Sequence, residues 1–518
     1  MKISNHSLRQ IDEAYINQLG EVEVRKLCVN LVDDLKDARE RLGQTSHNSS
    51  RPPSSDGPFG KKEKSAAEGA PAAQSEPEAG TGEQVAGVAP AAPSPSPKPV
   101  EPGKPGKPLG APGFGRSQLL PVDITVEHYP GHCAGCGQDL SAVAGQIYTS
   151  FQQIDVLAAH ETGKLGLQVQ VTEHRYGAKT CTCGHTTQER WQRGEVCPLL
   201  KGVALSEWRL IGPGLATLIV GLHQRYRISY GRIQEFLDDW LGLRFSRGVL
   251  SACVSEAGAA IAPAEEELVQ AVLASELLHI DETPWYEGGR LLWLWVFVAP
   301  MTVLYYVAGR GRELLDNLLS GFSGYVMSDG LPVYRHFIQR LRCWAHLLRK
   351  AQELSESCDA NAQQFGSEIQ QVLETLIDAV YQAREGPPAV PLPVQYAAQL
   401  TALQTLCEQW RDSAHNKARA LAVELLNDWE AIFQVLNNPA WPLTNNEAER
   451  ALRHWVMLRK TSYGTRNDRS SRTFALLASV IDTCHKRGHS PWPYLRTAIR
   501  DRRAGLPLAP LPAPIQGV

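Results

Sequence analysis

Apolar positions along the chain change their period several times, and each change predicts a different element. Over residues 1–43, Cys28, Leu31, Leu35, Ala38 and Leu42 recur at three- and four-residue intervals beside the charged run "DDLKDARER". That spacing predicts a helix that pairs as a short coiled coil, and hence a homo-oligomer, with a lone amphipathic helix as the alternative. Over 44–118 large apolar residues nearly vanish, and "AAEGAPAAQSEPEAG" and "PSPSPKPVEPGKPGKP" predict a disordered linker unable to bury a core. Strand-like runs, "QIYTSFQQIDV" and "LGLQVQVTEHRYG", mark a module over 119–200. Helical periodicity fills 201–270, where two helices meet at a short turn with Ser246 as N-cap of the second, as in a helix-turn-helix.

From 271 to 350 the pattern becomes strands: "ELLHIDETPW", an apolar run ending in acids with Asp281 at its C-terminal end, then "RLLWLWVFVAP" and "TVLYYVAGR". The stretch Leu291 to Gly309 is uncharged and long enough to be mistaken for a membrane span. Pro300 at its middle and the aromatic and β-branched halves instead predict a hairpin turning at "APMT". A short helix "GRELLDNLLSGF" follows, then a strand in "GYVMSDGLPVYRHF" ending at Asp329, then "RLRCWAHLLRK" as a strand entering a helix. Residues 351–440 are helix-patterned and split near "EGPPAVPLP"; 441–500 resume the strand domain's helices, and the Pro-rich 501–518 is expected to be a loose tail. The fold class is therefore multidomain α+β. Three antiparallel strands, a helix, a strand and a helix is the element order of a ribonuclease-H-like domain, here with an all-helical insertion.

Composition narrows this little. A net charge of −3 over 518 residues gives no global attraction to nucleic acid, so any such charge is local. Eleven irregularly spaced cysteines do not form a secreted disulfide framework, and the start lacks an apolar signal segment, which fits a cytoplasmic protein without membrane contact. Four of the cysteines are organised. Cys133 and Cys136 form C-x2-C followed by glycine, and Cys181 and Cys183 form C-x-C followed by glycine. Two such pairs separated by strands predict a structural zinc ribbon, with His185 as an alternative fourth ligand because of the shortened second pair.

In the ribonuclease-H-like order, Asp281 and Asp329 become spatial neighbours. One strand-end aspartate is ordinarily a turn residue or helix cap. Two adjacent carboxylates repel, and bound Mg2+ or Mn2+ offsets that repulsion. Such ions serve phosphodiester displacement, and a third acid from a later helix would complete the set.

These segments together resemble the IS66-type DDE transposases of bacterial insertion sequences, on "ERLGQTSHNSSRPPSSDG", the paired cysteines, "HIDETPW", "SDGLPVY", "CWAHLLRK", "NNEAERALR" and "RKTSYGT". The resemblance implies DNA strand cleavage and strand transfer at element ends, with Asp281, Asp329 and an acid of "NNEAER" as the metal-binding triad. It also implies a nucleoid-associated protein whose partners are DNA and element-encoded accessory proteins. The longer linker and the one-residue spacer of the second cysteine pair depart from the family pattern. A silent DNA-binding derivative of a transposase, or a nuclease or resolvase on the same fold, are the alternatives.

"NNEAER" carries two acids. On a helix, Arg453 and Lys460 lie about 40° and 20° from Glu449, whereas Glu447 shares its side with Ala451, His454 and Leu458. A metal-binding carboxylate belongs with the groups that meet phosphates, which favours Glu449; Glu447 reads as a first-turn acid favoured by the helix dipole. Arg450, Arg453, Arg459, Lys460, Arg466, Arg469 and Arg472, with Trp455 and Tyr463 interleaved, form a basic stretch suited to DNA phosphates. Arg244 and Arg247, near the second helix-turn-helix helix, are further candidates. Cys343 and His346 have C-x2-H spacing; a buried cysteine and a packed histidine is the favoured reading over a second zinc site, with a supporting role beside the acids as the alternative.

Overall fold

The computed structural model describes residues 11–43, 119–189 and 210–515, which fall into two compact units, 11–43 in the first and the rest in the second. The predicted linker 44–118 lies outside the described residues.

The first unit holds α1 (Glu13–Gln18) and α2 (Glu21–Gly43). Asp12 caps α1 by accepting the Tyr15 amide at 2.8 Å. On α2, Cys28 and Leu35 of the predicted seam are exposed and Leu31 is half-buried.

The second unit opens with β1 (Ile124–His128), β2 (Gly145–Leu157), β3 (Gln168–Thr180) and β4 (Thr186–Gln188), with β3 at the centre. The alternate residues Ile154 and Val156 of β2 enter the main core of the unit. There they join helices α3 (Pro213–Val220), α4 (Tyr230–Leu241), α5 (Arg247–Ala260) and α6 (Ala264–Leu273). Ser246 does cap α5, its hydroxyl accepting the Val249 amide. The helix pair is not a free-standing unit, since its apolar faces share one core with the strands that follow.

Those strands are β5 (Leu277–Glu287), β6 (Arg290–Ala299), β7 (Thr302–Ala308), β8 (Tyr325–Ser328) and β9 (Arg340–Arg342), with α7 (Glu313–Leu318) between β7 and β8. Their order across the sheet is β7-β6-β5-β8-β9. The first three are antiparallel, and β8 and β9 run parallel to β5. The stretch Leu291 to Gly309 is the β6–β7 hairpin, and no helix among the described residues is long and apolar enough to cross a membrane.

Period-two alternation sorts this sheet's side chains to two faces. Trp295, Phe297 and Ala299 enter the main core, while Leu294, Val296 and Val298 meet a second core on the other face. That second core is closed by α14 (Asn446–Ser462), through Ala448, Leu452, Trp455 and Leu458, and by α15 (Asp468–Lys486), through Phe474, Ala475 and Ala478. Helix α15 also lies along the edge strand β7. Its Ser479 and Thr483 hydroxyls accept the Tyr305 and Val303 amides, and Thr483 donates back to the Val303 carbonyl. Side-chain hydroxyls thus do for this edge what another strand would do.

Between β9 and α14 stands a helical subdomain with its own core: α8 (Trp344–Ser355), α9 (Ala360–Glu385), α10 (Leu392–Gln395), α11 (Ala397–Trp410), α12 (Asn416–Asn427) and α13 (Trp429–Phe433). Helix α8 enters that core with Trp344, Leu347, Ala351 and Leu354, so the expected domain boundary at residue 350 falls inside a continuous helix. Helix α16 (Pro491–Arg503) is the last regular element among the described residues.

Two expectations need correction. The C-terminal segment is docked rather than loose: Leu511 is buried in the main core, and Arg487 Nη1 donates to the Pro512 carbonyl at 3.0 Å while the Ile515 amide donates to the Arg487 carbonyl. Its prolines break helix without preventing apolar residues from packing. Strand β5 also continues past Asp281 to Glu287, because β6 pairs it along that whole length while β8 pairs it only as far as His279.

The "SYGT" turn after α14 closes against β5. Gly464 has φ +95°, and a Cβ there would lie 2.1 Å from the Tyr286 carbonyl oxygen, which accepts the Thr465 amide. Gly464→Ala is expected to destabilise the protein by more than about 1 kcal/mol, since alanine meets both a left-handed backbone and a backbone clash. An unchanged urea midpoint would show that this close approach does not constrain the fold.

Candidate active site

The end of the β5–β8 parallel pair gathers the acids. Asp281 stands two residues beyond the last β5–β8 partner, and Asp329 follows β8 directly. Asp329 Oδ1 accepts the Leu331 amide at 2.9 Å, which bends the chain away from the strand. Gly330 follows because a Cβ there would press on Glu424 and Arg342, whose side chains are paired behind it.

Asp281 is half-buried, with Oδ1 accepting the Glu282 amide at 2.9 Å. Burial pushes its carboxyl up to about 7, and the charges of Glu282, Asp329 and Glu449 push the same way against that amide. The negative charges of β5, β8 and α14 thus act on one carboxyl. Glu282 is spoken for: its buried side chain accepts from Arg310 at 3.0 Å and from the Tyr334 hydroxyl at 2.7 Å. The two α14 acids differ likewise. Glu447 is paired with Lys486 at 3.0 Å and Arg450 at 3.7 Å, and its carboxyl is held down mainly by the Lys486 hydrogen bond. Glu449 faces Asp281's surroundings and meets His346 Nε2 at 3.3 Å.

The side chain that sets this arrangement is Asn445, which the sequence reading passed over. It is buried, donates Nδ2 to the Ile280 carbonyl at 2.8 Å, and meets His279 Nδ1 with Oδ1 at 3.1 Å. Its amide donates to Cys343 Sγ at 3.3 Å. The free edge of β5, where β8 stops, is thus satisfied by the residue just before α14. A polar side chain immediately preceding an acid-bearing helix was the available signal. Cys343 and His346 lie at the start of α8, and one ligand atom from each, with one from Glu449, lie within 4.8 Å of one another.

The basic stretch divides. Arg453, Lys460 and Arg466 are exposed, as is Tyr463. Arg459 instead donates to Thr283 Oγ1 and the Pro284 carbonyl, and Arg472 pairs with Glu265 at 2.7 Å, so both tie the scaffold together. Trp455 is wholly buried and donates to Asp482 at 2.9 Å, which removes it from any surface facing DNA. Arg244 and Arg247 are exposed beside α5; Arg244 pairs with Asp238 at 3.0 Å, and Arg247 donates to Gln234.

At the other sheet, Cys133, Cys136, Cys181 and Cys183 converge, with sulfurs 3.7 Å apart for Cys133–Cys183 and 3.6 Å for Cys136–Cys181. Sulfurs on a tetrahedral zinc with bonds of about 2.3 Å lie roughly 3.8 Å apart, so the set fits that ion. Gly137 and Gly184 turn the two knuckles with positive φ, and the one-residue spacer of the second pair still brings both sulfurs in. His185 stays outside the four and packs on Gly135.

Comparison with known proteins gives a match of residues 209–473 to the family model described as "Transposase IS66 family". Residues 4–85 match a family of unknown function (DUF6444). Among curated proteins, "Uncharacterized protein y4qI" of Sinorhizobium fredii (strain NBRC 101917 / NGR234) is 24% identical over 305 residues, covering 52% of this chain and 56% of that protein. "Uncharacterized protein y4jD" of the same strain is 23% identical over 425 residues, covering 74% and 77%.

Two outcomes follow from this geometry. Asp281→Asn removes a buried charge from among like charges, so in Mg2+-free buffer at pH 8 it is expected to raise the thermal midpoint by a few degrees. Because the folded Asp281 carboxyl, at about 7, sits above its ordinary value of 3.8, the penalty builds as pH rises between those two values and levels off above the higher one, so the gain should be nearly full at pH 8 and should shrink as pH falls to 5. Asn445→Ala leaves the Ile280 carbonyl unpaired and is expected to cost about 1–3 kcal/mol in urea unfolding; no loss would show that the amide does not anchor α14.

Proposed function

The chain belongs to the IS66 family of transposases, and on that premise we propose that it is a DDE transposase that cleaves and transfers DNA strands at the ends of an insertion sequence. What supports the reading is that Asp281 lies just past the β5–β8 pairing and Asp329 directly follows β8, with the Glu449 charge of α14 acting on Asp281, while the competing acids Glu282 and Glu447 are occupied by Arg310, Tyr334 and Lys486. The sheet order β7-β6-β5-β8-β9, parallel beyond β5, supports a ribonuclease-H-like domain interrupted by the helical subdomain.

Asp281, Asp329 and Glu449 are the residues that would hold Mg2+ or Mn2+; as hard oxygen donors that repel one another when empty, they suit such ions, which supply charge neutralisation for phosphodiester displacement. The protein's own part is orientation. Strand β5 fixes Asp281, the turn at Asp329 and Gly330 fixes the second carboxylate, and Asn445 fixes the helix carrying the third. Arg453, Lys460 and Arg466, with Arg450 at the rim, supply exposed cations for DNA phosphates, and Arg244 and Arg247 a second basic surface. The four-cysteine module takes a structural zinc, closed by its four ligands. Self-association through α2, action on nucleoid DNA and association with element-encoded proteins complete the reading, with the domain division at 119–200, 201–270, 271–350 with 441–500, and 351–440.

Strand-transfer assays on the inverted repeats flanking the gene test it. Asp281→Ala, Asp329→Ala and Glu449→Ala are each expected to lose about a thousandfold or more, equivalent to about 4 kcal/mol of transition-state stabilisation. Glu447→Ala should keep most of the activity. Retention by Glu449→Ala, or loss only in Glu447→Ala, would overturn the assignment.

A further inference from the structure

We infer that Cys343, His346 and Glu449 form a second transition-metal site, of the zinc class, at the junction of α8 and α14. A packed cysteine and histidine, the reading the C-x2-H spacing favours, needs no third donor. Glu449 supplies one from 103 residues later in the chain. One ligand atom from each of the three lies within 4.8 Å of the others. His346 Nε2 and Glu449 Oε1 are 3.3 Å apart, matching the roughly 3.3 Å between nitrogen and oxygen ligands on a tetrahedral ion with bonds of about 2.0–2.1 Å.

A second observation concerns the sulfur. Cys343 is wholly buried as the N-cap residue of α8, and its Sγ accepts the Asn445 amide at 3.3 Å. That N–H holds the sulfur beside the His346–Glu449 pair, and because burial pushes the thiol up, a bound cation would have to take its proton's place. The donor set decides the ion. A thiolate and an imidazole are poor partners for Mg2+ and good ones for Zn2+, and three protein ligands leave a fourth position open. Glu449 Oε1 faces His346, leaving Oε2 for the hard cation proposed at Asp281 and Asp329. In that one respect the inference rests on the proposed function, since the carboxylate would be held by one ion while serving the other.

The test is zinc content by elemental analysis on the full-length protein, purified without chelator and dialysed into metal-free buffer. Wild type is expected to retain two zinc ions per chain, one of them in the four-cysteine set. Cys343→Ser and His346→Asn should each retain one. Cys407→Ser, which alters a buried thiol of the helical subdomain, should retain two. Asp281→Asn should also retain two while losing strand transfer, so failure of the catalytic reading leaves the zinc count unaffected. Fewer than two zinc ions in wild type, or two in His346→Asn, would overturn the inference; His346→Asn decides the matter if Cys343→Ser fails to fold, because His346 is partly exposed.

Discussion

One buried amide holds the acid-bearing end of this protein together. Asn445 fills the gap that opens along β5 where β8 stops, pairing with the Ile280 carbonyl and His279, while its own backbone amide meets Cys343. Three elements far apart in sequence are thereby fixed within one residue's reach of Asp281. The exchange is physically economical. A strand edge left open in the interior carries unpaired carbonyls at a cost of about 1–3 kcal/mol each, and the side chain that satisfies it also sets the register of the helix that follows. Glu449 comes one turn later, so its position is inherited from the anchor.

The same logic governs the β7 edge of the sheet. Strand β7 is closed by Ser479 and Thr483 of α15 rather than by another strand, and those hydroxyls are buried among apolar neighbours. Helix α15 reaches both faces at once, Phe474 and Ala478 on one side and Leu477 and Ile481 on the other. With the gap on β5 and the β7 edge both satisfied by side chains, the sheet can be short and still place two aspartates rigidly. That rigidity opposes their mutual repulsion, which a flexible loop would relieve by moving one of them away.

Much of this was legible in the chain because it depends on local pattern. The aromatic and β-branched halves of Leu291 to Gly309 marked a hairpin, and the broken middle at Pro300 argued against a membrane helix. The helical wheel set Glu447 and Glu449 on different sides, and the structure gives them different company, Lys486 for one and His346 for the other. What failed to show were properties of three-dimensional partners. Trp455 sits among arginines in the sequence, yet its helix turns it inward onto Tyr305, Phe474 and Asp482. Arg459 and Arg472 read as part of a basic face until Pro284 and Glu265 appear opposite them. The proline-rich end read as loose because composition does not reveal that Leu511 has a slot in the core. Asn445 was hidden for the same reason: its partners lie more than a hundred residues away.

Helix α8 makes the helical subdomain part of the site rather than an appendage. Its first turn carries His346, and the same rigid rod sends Leu347, Ala351 and Leu354 into the subdomain core. Behind it, Arg342 of β9 and Lys350 of α8 both pair with Glu424 of α12, and Arg335 and Arg340 converge on the buried Asp428. Charges removed from water tolerate little displacement, because separating them leaves each one unpaired in a poorly solvating interior. A load applied to α12 would therefore reach β9 through these pairs, and β9 is bonded to β8, whose end carries Asp329. Moving the subdomain without moving the second aspartate would require breaking that buried network, so the two are expected to shift as one body.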